Sequence, residues 1–393
     1  MNGELLRGIR FFTWETEILS AASAVCGAGE RAEYALDGEC GENSVFDLAS
    51  VTKLFTGLCM MRLKEEGLLD FSRPVLVYDP RFARLGDTTV EQLAAFGVTV
   101  KTPVRIDACA DREQALETLL AAEPGERPLR RVYSDIPAMI LKYVIEAAGG
   151  MPFYDCVKRM ILEPAGMTET WAAVPSGRRK DCQDYSGEHR IEGTAWIVRD
   201  RKPGVPHDPK AAILQGETGD LCGHAGLFST MRDMVRFCRA VLAEKIVSRD
   251  SLREMAVNRT GRLLPDGTHS QYLGYQCYVR HPEQYWSEIP AYMGMQAFGI
   301  GGFTGTHVSV DPERGLFTVF LGNRVKNRLT VLVPEEGKTL ADYGLNPDGS
   351  GMFRWSDGEA VPSSVKYVHQ KDRHFHSAVM AALGIPEVPF VEK

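Results

Sequence analysis

The chain has 393 residues, more than one hydrophobic core usually organises, so two structural units are expected, either in tandem or one inserted in the other. Its apolar fraction of 44% is ordinary for a folded protein and argues against disorder. The formal net charge of −7, with both signs interspersed, leaves no basic stripe to neutralise a phosphate backbone, so no nucleic-acid partner is expected.

Residues 3–12 read as a helix carrying two arginines and a glutamate, without the continuous apolar stretch and small-residue cleavage site of a secretory leader. No later apolar run reaches the length of a spanning helix, which predicts a cytoplasmic protein with no membrane partner. The nine cysteines form no C-x-x-C pair and fit reduced thiols. The nine histidines are scattered; His374 and His376 lie two apart in a predicted helix and face different ways, so no metal site is expected.

Residues 21–36 read as a hairpin around a Gly-rich turn at 27–30. The run "SVFDLASVTKLFTGLCMMRLKEEGLLD" follows, with apolar residues at Leu54, Leu58, Met61 and Leu63 in helical spacing until Gly67 closes it. Ser50 stands at the entrance of that helix. Helical patterns then cover 90–96, 112–122, 136–148, 152–162 and 231–245, the last capped by Thr230. Between them, residues 176–226 show no period and read as a long loop.

After Tyr272 the texture turns to strands in "LGYQCYVR", "MQAFGIGGFTGTHVSVD" and "GLFTVFLGNRV", the last two forming a hairpin about the 311–315 turn. A helix over 365–383 closes the chain. Strands at both ends around a helical middle predict an α+β fold: a sheet domain from residues 1–71 and 259–393, with a mainly helical domain of residues 72–258 inserted.

Ser50-Val51-Thr52-Lys53 puts a hydroxyl and an amine one helical turn apart on the same face. A serine hydroxyl is a weak nucleophile until a base takes its proton, and a desolvated lysine can do so. The free N–H groups at a helix start add donors for a developing oxyanion. Ser363-Ser364-Val365-Lys366 satisfies the same spacing, but it follows a Gly- and Pro-bearing loop and opens a polar helix. Ser50 follows a strand-like segment and opens an apolar one.

With these motifs the chain resembles the serine β-lactamase and penicillin-binding-protein superfamily, most closely the class C β-lactamase-like branch that includes family VIII carboxylesterases. "FDLASVTKLFTG" is similar to that branch's nucleophile segment, and Tyr133-Ser134-Asp135 falls at its Tyr-x-Asn position. "AFGIGGFTGT" followed by "DPERGLFTVFLGNRV" is similar to the strand bearing the Lys/His-Thr-Gly signature and the strand after it. "EPAGMTET", "HDPKA" and "GHAGLFST" follow the same branch in order.

The resemblance implies a β-lactamase/transpeptidase-like fold, an antiparallel sheet flanked by helices with an inserted helical domain. It makes Ser50 the acylated nucleophile, Lys53 its proton acceptor or relay, and Tyr133 the proton shuttle; which of the last two is the base stays open. Backbone N–H groups of Ser50 and Phe303 would form the oxyanion hole. Asp135, Ile300, Gly301 and Gly302 would line the substrate site, and His207 and His224 would hold structure. No cofactor is implied, and the partner is a small acyl substrate.

Three departures matter. Ile300 stands where the third signature carries a cation, which points to neutral esters or amides. The segment "TVEQLAAFGVTVKTP" stands where the family shows a His-Thr-Ser-Gly turn. Residues 329–363 are an insertion, for which a lid, a dimer contact and an inert decoration stay open, decoration first. The leading expectation is an esterase or amidase. The alternatives are a D-amino-acid peptidase or weak β-lactamase, an acyltransferase, and a non-catalytic binding protein that keeps the fold.

Overall fold

The computed structural model describes residues 1–216, 218–282, 288–355 and 357–388. Helix α1 (Gly3–Arg10) is capped by Asn2, whose side chain accepts from the N–H groups of Glu4 and Leu5. Strands β1 (Ala21–Ala28) and β2 (Arg31–Gly38) form the N-terminal hairpin. Helix α2 (Thr52–Glu65) follows a 3₁₀ turn at Ala49–Val51, and α3 (Ile136–Gly149) packs against it.

The segment that reads as an unpatterned loop contains strands β3 (Glu188–Glu192) and β4 (Ala195–Arg199) and a short helix at Pro209–Leu214. Helix α4 (Met231–Leu242) is followed by β5 (Tyr278–Val279), β6 (Phe298–Gly301), β7 (His307–Asp311), β8 (Leu316–Asn323) and β9 (Arg328–Val333). At the C-terminus the helical segments Tyr367–Gln370, Lys371–Phe375 and His376–Leu383 run on from one another.

One antiparallel sheet holds six strands in the order β2-β1-β8-β7-β6-β5, so both ends of the chain meet in it. Pairing between β1 and β8 joins residues three hundred apart, with Ala21 opposite Asn323. The α1 and C-terminal helices cover one face around Phe12, Phe320 and Phe375. On the other face, Val25, Val308, Val310 and Val319 belong to the largest apolar cluster together with Leu54, Phe55 and Leu58 of α2.

Helix α2 is buried nearly all round, from Thr52 through Met61. Each Leu or Phe so enclosed contributes about 1.5–3 kcal/mol of transfer free energy. A Cβ on Gly57 would stand 3.0 Å from the Tyr275 carbonyl, so glycine lets α2 lie close to that loop.

A second sheet, β9-β3-β4, pairs β9 parallel to β3. The start of the 329–363 insertion is therefore a structural partner of β3. All nine cysteines are free thiols. Among the described residues no helix is long and apolar enough to cross a membrane.

Candidate active site

Ser50 enters α2 through a turn that is held under backbone strain. Ala49 has φ 45°, a conformation costly for a side chain with a Cβ. Asp47, fully buried, offsets that cost: its Oδ1 accepts from Ala49 N–H at 2.8 Å and its Oδ2 from His207 N–H at 2.7 Å. Sequence reasoning passed over Asp47, although it sits three residues before the nucleophile candidate.

One turn into α2, the Lys53 side chain is completely enclosed. Its Nζ donates to Ser50 Oγ at 3.0 Å, to Asp135 Oδ1 at 2.8 Å and to the His224 carbonyl at 3.1 Å. Burial lowers the Lys53 pKa from its ordinary value, with Asp135 pulling the other way. Asp135 is the residue before α3. Burial works to raise its carboxyl, but Lys53, Lys210 and His224 outweigh it and hold the group below the usual carboxylate range.

Tyr133 completes the group. Lys53 Nζ lies 4.8 Å from its ring centroid, and its phenol interacts with the Ser50 hydroxyl. The ring is stacked between Phe96 and Tyr278, with centroids at 5.6 and 5.7 Å. Burial first, then Asp135, pushes the phenol well above its ordinary pKa, so it stays protonated. The rebuilt "TVEQLAAFGVTVKTP" segment thus supplies Phe96 as the wall behind Tyr133.

The end of β6 closes the site from the other side. Thr304 Oγ1 donates to the Asp47 carbonyl at 2.7 Å and Thr306 Oγ1 to the Leu48 carbonyl at 3.0 Å. Gly302 N–H donates to the Thr306 carbonyl at 2.7 Å. These bonds clamp the turn carrying Phe303 onto the segment leading into Ser50. A Cβ on Gly302 would meet Leu48 O at 2.6 Å, so only glycine permits that approach.

A cavity of about 380 Å³ opens here, lined by Ser50, Tyr133, Asp135, Gly301, Gly302 and Phe303 among others. Ile300 does not reach it. Strand alternation turns Ile300 with Phe298 into the apolar core, where it is fully buried, so the expectation that it lines the substrate site is corrected. The second serine-lysine pair is no match either. Ser363 is fully buried, and the Lys366 ammonium turns away to the Pro347 carbonyl.

Other lining residues went unnoticed in the sequence, including Lys210 and Asp208 of "HDPKA" and Arg324 of "GNRV". Lys210 Nζ lies 3.2 Å from Asp135 Oδ2 and 3.5 Å from Asp208 Oδ2. His224 Nε2 meets Asp208 Oδ1 at 2.9 Å. Asp135, Asp208 and His224 bring potential metal-ligand atoms within 4.8 Å of one another, but ammonium groups already neutralise the two carboxylates. The set is suited to holding Lys53 in place. His207 stacks on Phe303 at 5.7 Å and meets Glu188 at 3.1 Å.

The arrangement places a serine hydroxyl and a protonated phenol on one cavity with an enclosed amine beside them, a set of groups suited to acyl transfer. Comparisons with known proteins agree. The Beta-lactamase family profile matches residues 9–335. A protein of Salmonella enteritidis PT4 (strain P125109), named "Putative D-alanyl-D-alanine carboxypeptidase", is 27% identical over 363 residues, covering 80% of this chain and 76% of its own.

Among solved structures, EstA from Arthrobacter nitroguajacolicus Rue61a superposes with TM-score 0.61 at 15% identity, covering 86% of this chain and 92% of its own. A D-stereospecific amidohydrolase from Streptomyces sp. gives 0.60 at 17% identity, covering 82% and 94%. At such identities the two structures establish the β-lactamase/transpeptidase-like fold alone. With a family profile spanning most of its length, the chain belongs to the Beta-lactamase family and is a hydrolase of the serine β-lactamase type.

Proposed function

We propose that the protein hydrolyses small acyl esters or amides through a covalent acyl-enzyme on Ser50. The observation that carries this reading is the enclosed Lys53 amine 3.0 Å from the Ser50 hydroxyl. Desolvation makes the neutral amine accessible, so Lys53 takes the Ser50 proton as Oγ bonds to the substrate carbonyl carbon. The carbonyl oxygen becomes an oxyanion, held by the N–H groups of Ser50 and Phe303.

Collapse of that intermediate breaks the bond to the leaving alcohol or amine. Tyr133, a protonated phenol beside both groups, gives its proton to the leaving atom and is refilled from the Lys53 ammonium. Water then attacks the acyl-enzyme by the reverse relay, with its proton returning through Tyr133 and Lys53. The electrostatics favour Lys53 as the first acceptor, since burial lowers its pKa and raises that of Tyr133.

Asp135 and Gly301 to Phe303 are assigned to the substrate side of the cavity. A second reading, hydrolysis of a D-alanyl peptide, draws on the name of the Salmonella relative and uses the same residues. Short-chain nitrophenyl esters and D-alanyl-D-alanine peptides, assayed side by side, separate the two. Ser50→Ala is expected to abolish turnover of whichever is cleaved, and Tyr133→Phe to slow it by about 10²–10⁴-fold. Equal turnover by wild type and both variants overturns the assignment of roles, whereas no turnover of either substrate favours a binding protein.

A further inference from the structure

The expectation of a neutral substrate came from Ile300, and Ile300 faces the core. The cavity lining carries both signs of charge, and a guanidinium beside Phe303 belongs to Arg324. Arg324 follows the last residue of β8, and its main-chain N–H donates to Thr304 O at 3.0 Å, within the same turn that carries Phe303. Its guanidinium lies 4.8 Å from the Phe303 ring centroid and 5.6 Å from that of Tyr367. Nη2 donates to the Thr330 carbonyl at 2.7 Å.

Arg324 is only 6% exposed, yet its Nε has no hydrogen-bond partner, and among the described residues it forms no ion pair. Burial lowers its pKa to about 10. A charge removed from water without a paired counter-ion is costly, and one carbonyl and two ring faces are all that hold this guanidinium, which leaves it able to receive an anion.

Glu188 acts on it electrostatically but forms no ion pair with it, being held by other groups. Glu188 is taken by Arg190 at 2.9 Å, His207 at 3.1 Å and the Thr330 hydroxyl at 2.5 Å. Glu192 accepts from Arg190 at 2.7 Å. Arg199 reaches Glu188 only at 3.8 Å. Arg190, Arg199 and Arg324 all line the cavity that contains Ser50, and of the carboxylates in the same lining Asp107 is paired with Arg105 at 2.7 Å and Glu288 with Lys371 at 3.1 Å.

We infer that the Phe303 end of the cavity is a subsite for a carboxylate carried by the acyl group of the substrate, with Arg324 as its counter-ion. This deepens the acyl-hydrolase reading and rests on it for the position of the carbonyl. A guanidinium offers a planar fork that pairs with both carboxylate oxygens, and here it works in a desolvated site where the pairing is strengthened. The insertion strand β9 takes part, because its Thr330 orients both Arg324 and Glu188.

The test compares the nitrophenyl half-ester of glutaric acid with its methyl ester, the same acyl chain without the charge, in wild type, Arg324→Gln and Arg324→Lys. The wild type is expected to favour the acid by at least about tenfold in kcat/KM at low salt. That ratio falls to near one in Arg324→Gln and is partly kept in Arg324→Lys. A wild-type ratio of one or less, or a ratio unchanged in Arg324→Gln, overturns the inference. Calorimetric titration of glutarate into wild type and both variants reads the subsite without turnover, so failure of the hydrolase reading stays separate. Binding weakened at least about tenfold in Arg324→Gln is the expected result. No glutarate binding in the wild type, or equal binding in a variant that melts like it, refutes the subsite.

Discussion

Lys53 and Asp135, 82 positions apart in sequence, meet at 2.8 Å beneath the Ser50 hydroxyl. The carboxylate opposes the burial that lowers the Lys53 pKa. Activity on the acid side is lost as Lys53 becomes protonated, so the acid limb of kcat/KM reports its pKa. Asp135→Asn removes the opposing charge and moves that limb to lower pH by at least about one pH unit. A limb that stays in place, or moves up, shows that Lys53 is not the group titrating.

Gly302 carries the close approach of β6 to the nucleophile turn. In Gly302→Ala the new Cβ would lie 2.1 Å from Thr306 Oγ1 and 2.6 Å from Leu48 O, and the backbone oxygen cannot swing aside. The Phe303 N–H is then displaced from Ser50. A fall in kcat of about 10²–10³-fold is expected, the loss typical of one oxyanion donor, with a stability cost of about 1–3 kcal/mol. Wild-type kcat in this variant would show that the 302–306 turn plays no part in the reaction.

Glu188 links the cavity wall to acid stability. Burial works to raise its carboxyl, but His207 and Arg190 outweigh it and hold the pKa at about 2. A depressed carboxylate stabilises the fold above its unfolded value of 4.5, and that contribution disappears as pH falls from there through about 2. It amounts to roughly 3 kcal/mol, at about 1.4 kcal/mol per pH unit. Glu188→Gln should therefore melt lower than wild type at pH 7, with the gap closing at acid pH. A gap that is constant with pH rejects this account.

Helix α2, the β1–β2 hairpin and the β7–β8 hairpin were legible in the sequence because their signals are local: an apolar period, a Gly turn, a Gly-closed helix end. Strand β3 was not. Its residues Glu188, His189 and Arg190 read as loop, since their burial depends on partners far along the chain, such as Thr330. "LGYQCYVR" reads as one long strand, but Gln276 takes φ 55° and turns its amide to Leu93 and Ala94, leaving only Tyr278–Val279 paired.

The cluster of Ser50, Lys53, Tyr133 and Asp135 could be anticipated because its motifs lie in recognisable segments. Ile300 was misread because a motif position was taken for a side-chain direction. Lys371 looks like a surface residue of a polar helix, yet it is buried against Glu288 at 3.1 Å and Asp372 at 2.9 Å, a pairing that no local pattern signals.

The most direct test is to treat the wild-type protein with a fluorophosphonate probe and map the adduct by mass spectrometry. The account predicts one covalent adduct on Ser50, lost in Ser50→Ala and slowed in Lys53→Ala, with Ser363 unmodified. An adduct at another residue, or none on a folded protein, contradicts the claim that Lys53 activates Ser50 for attack.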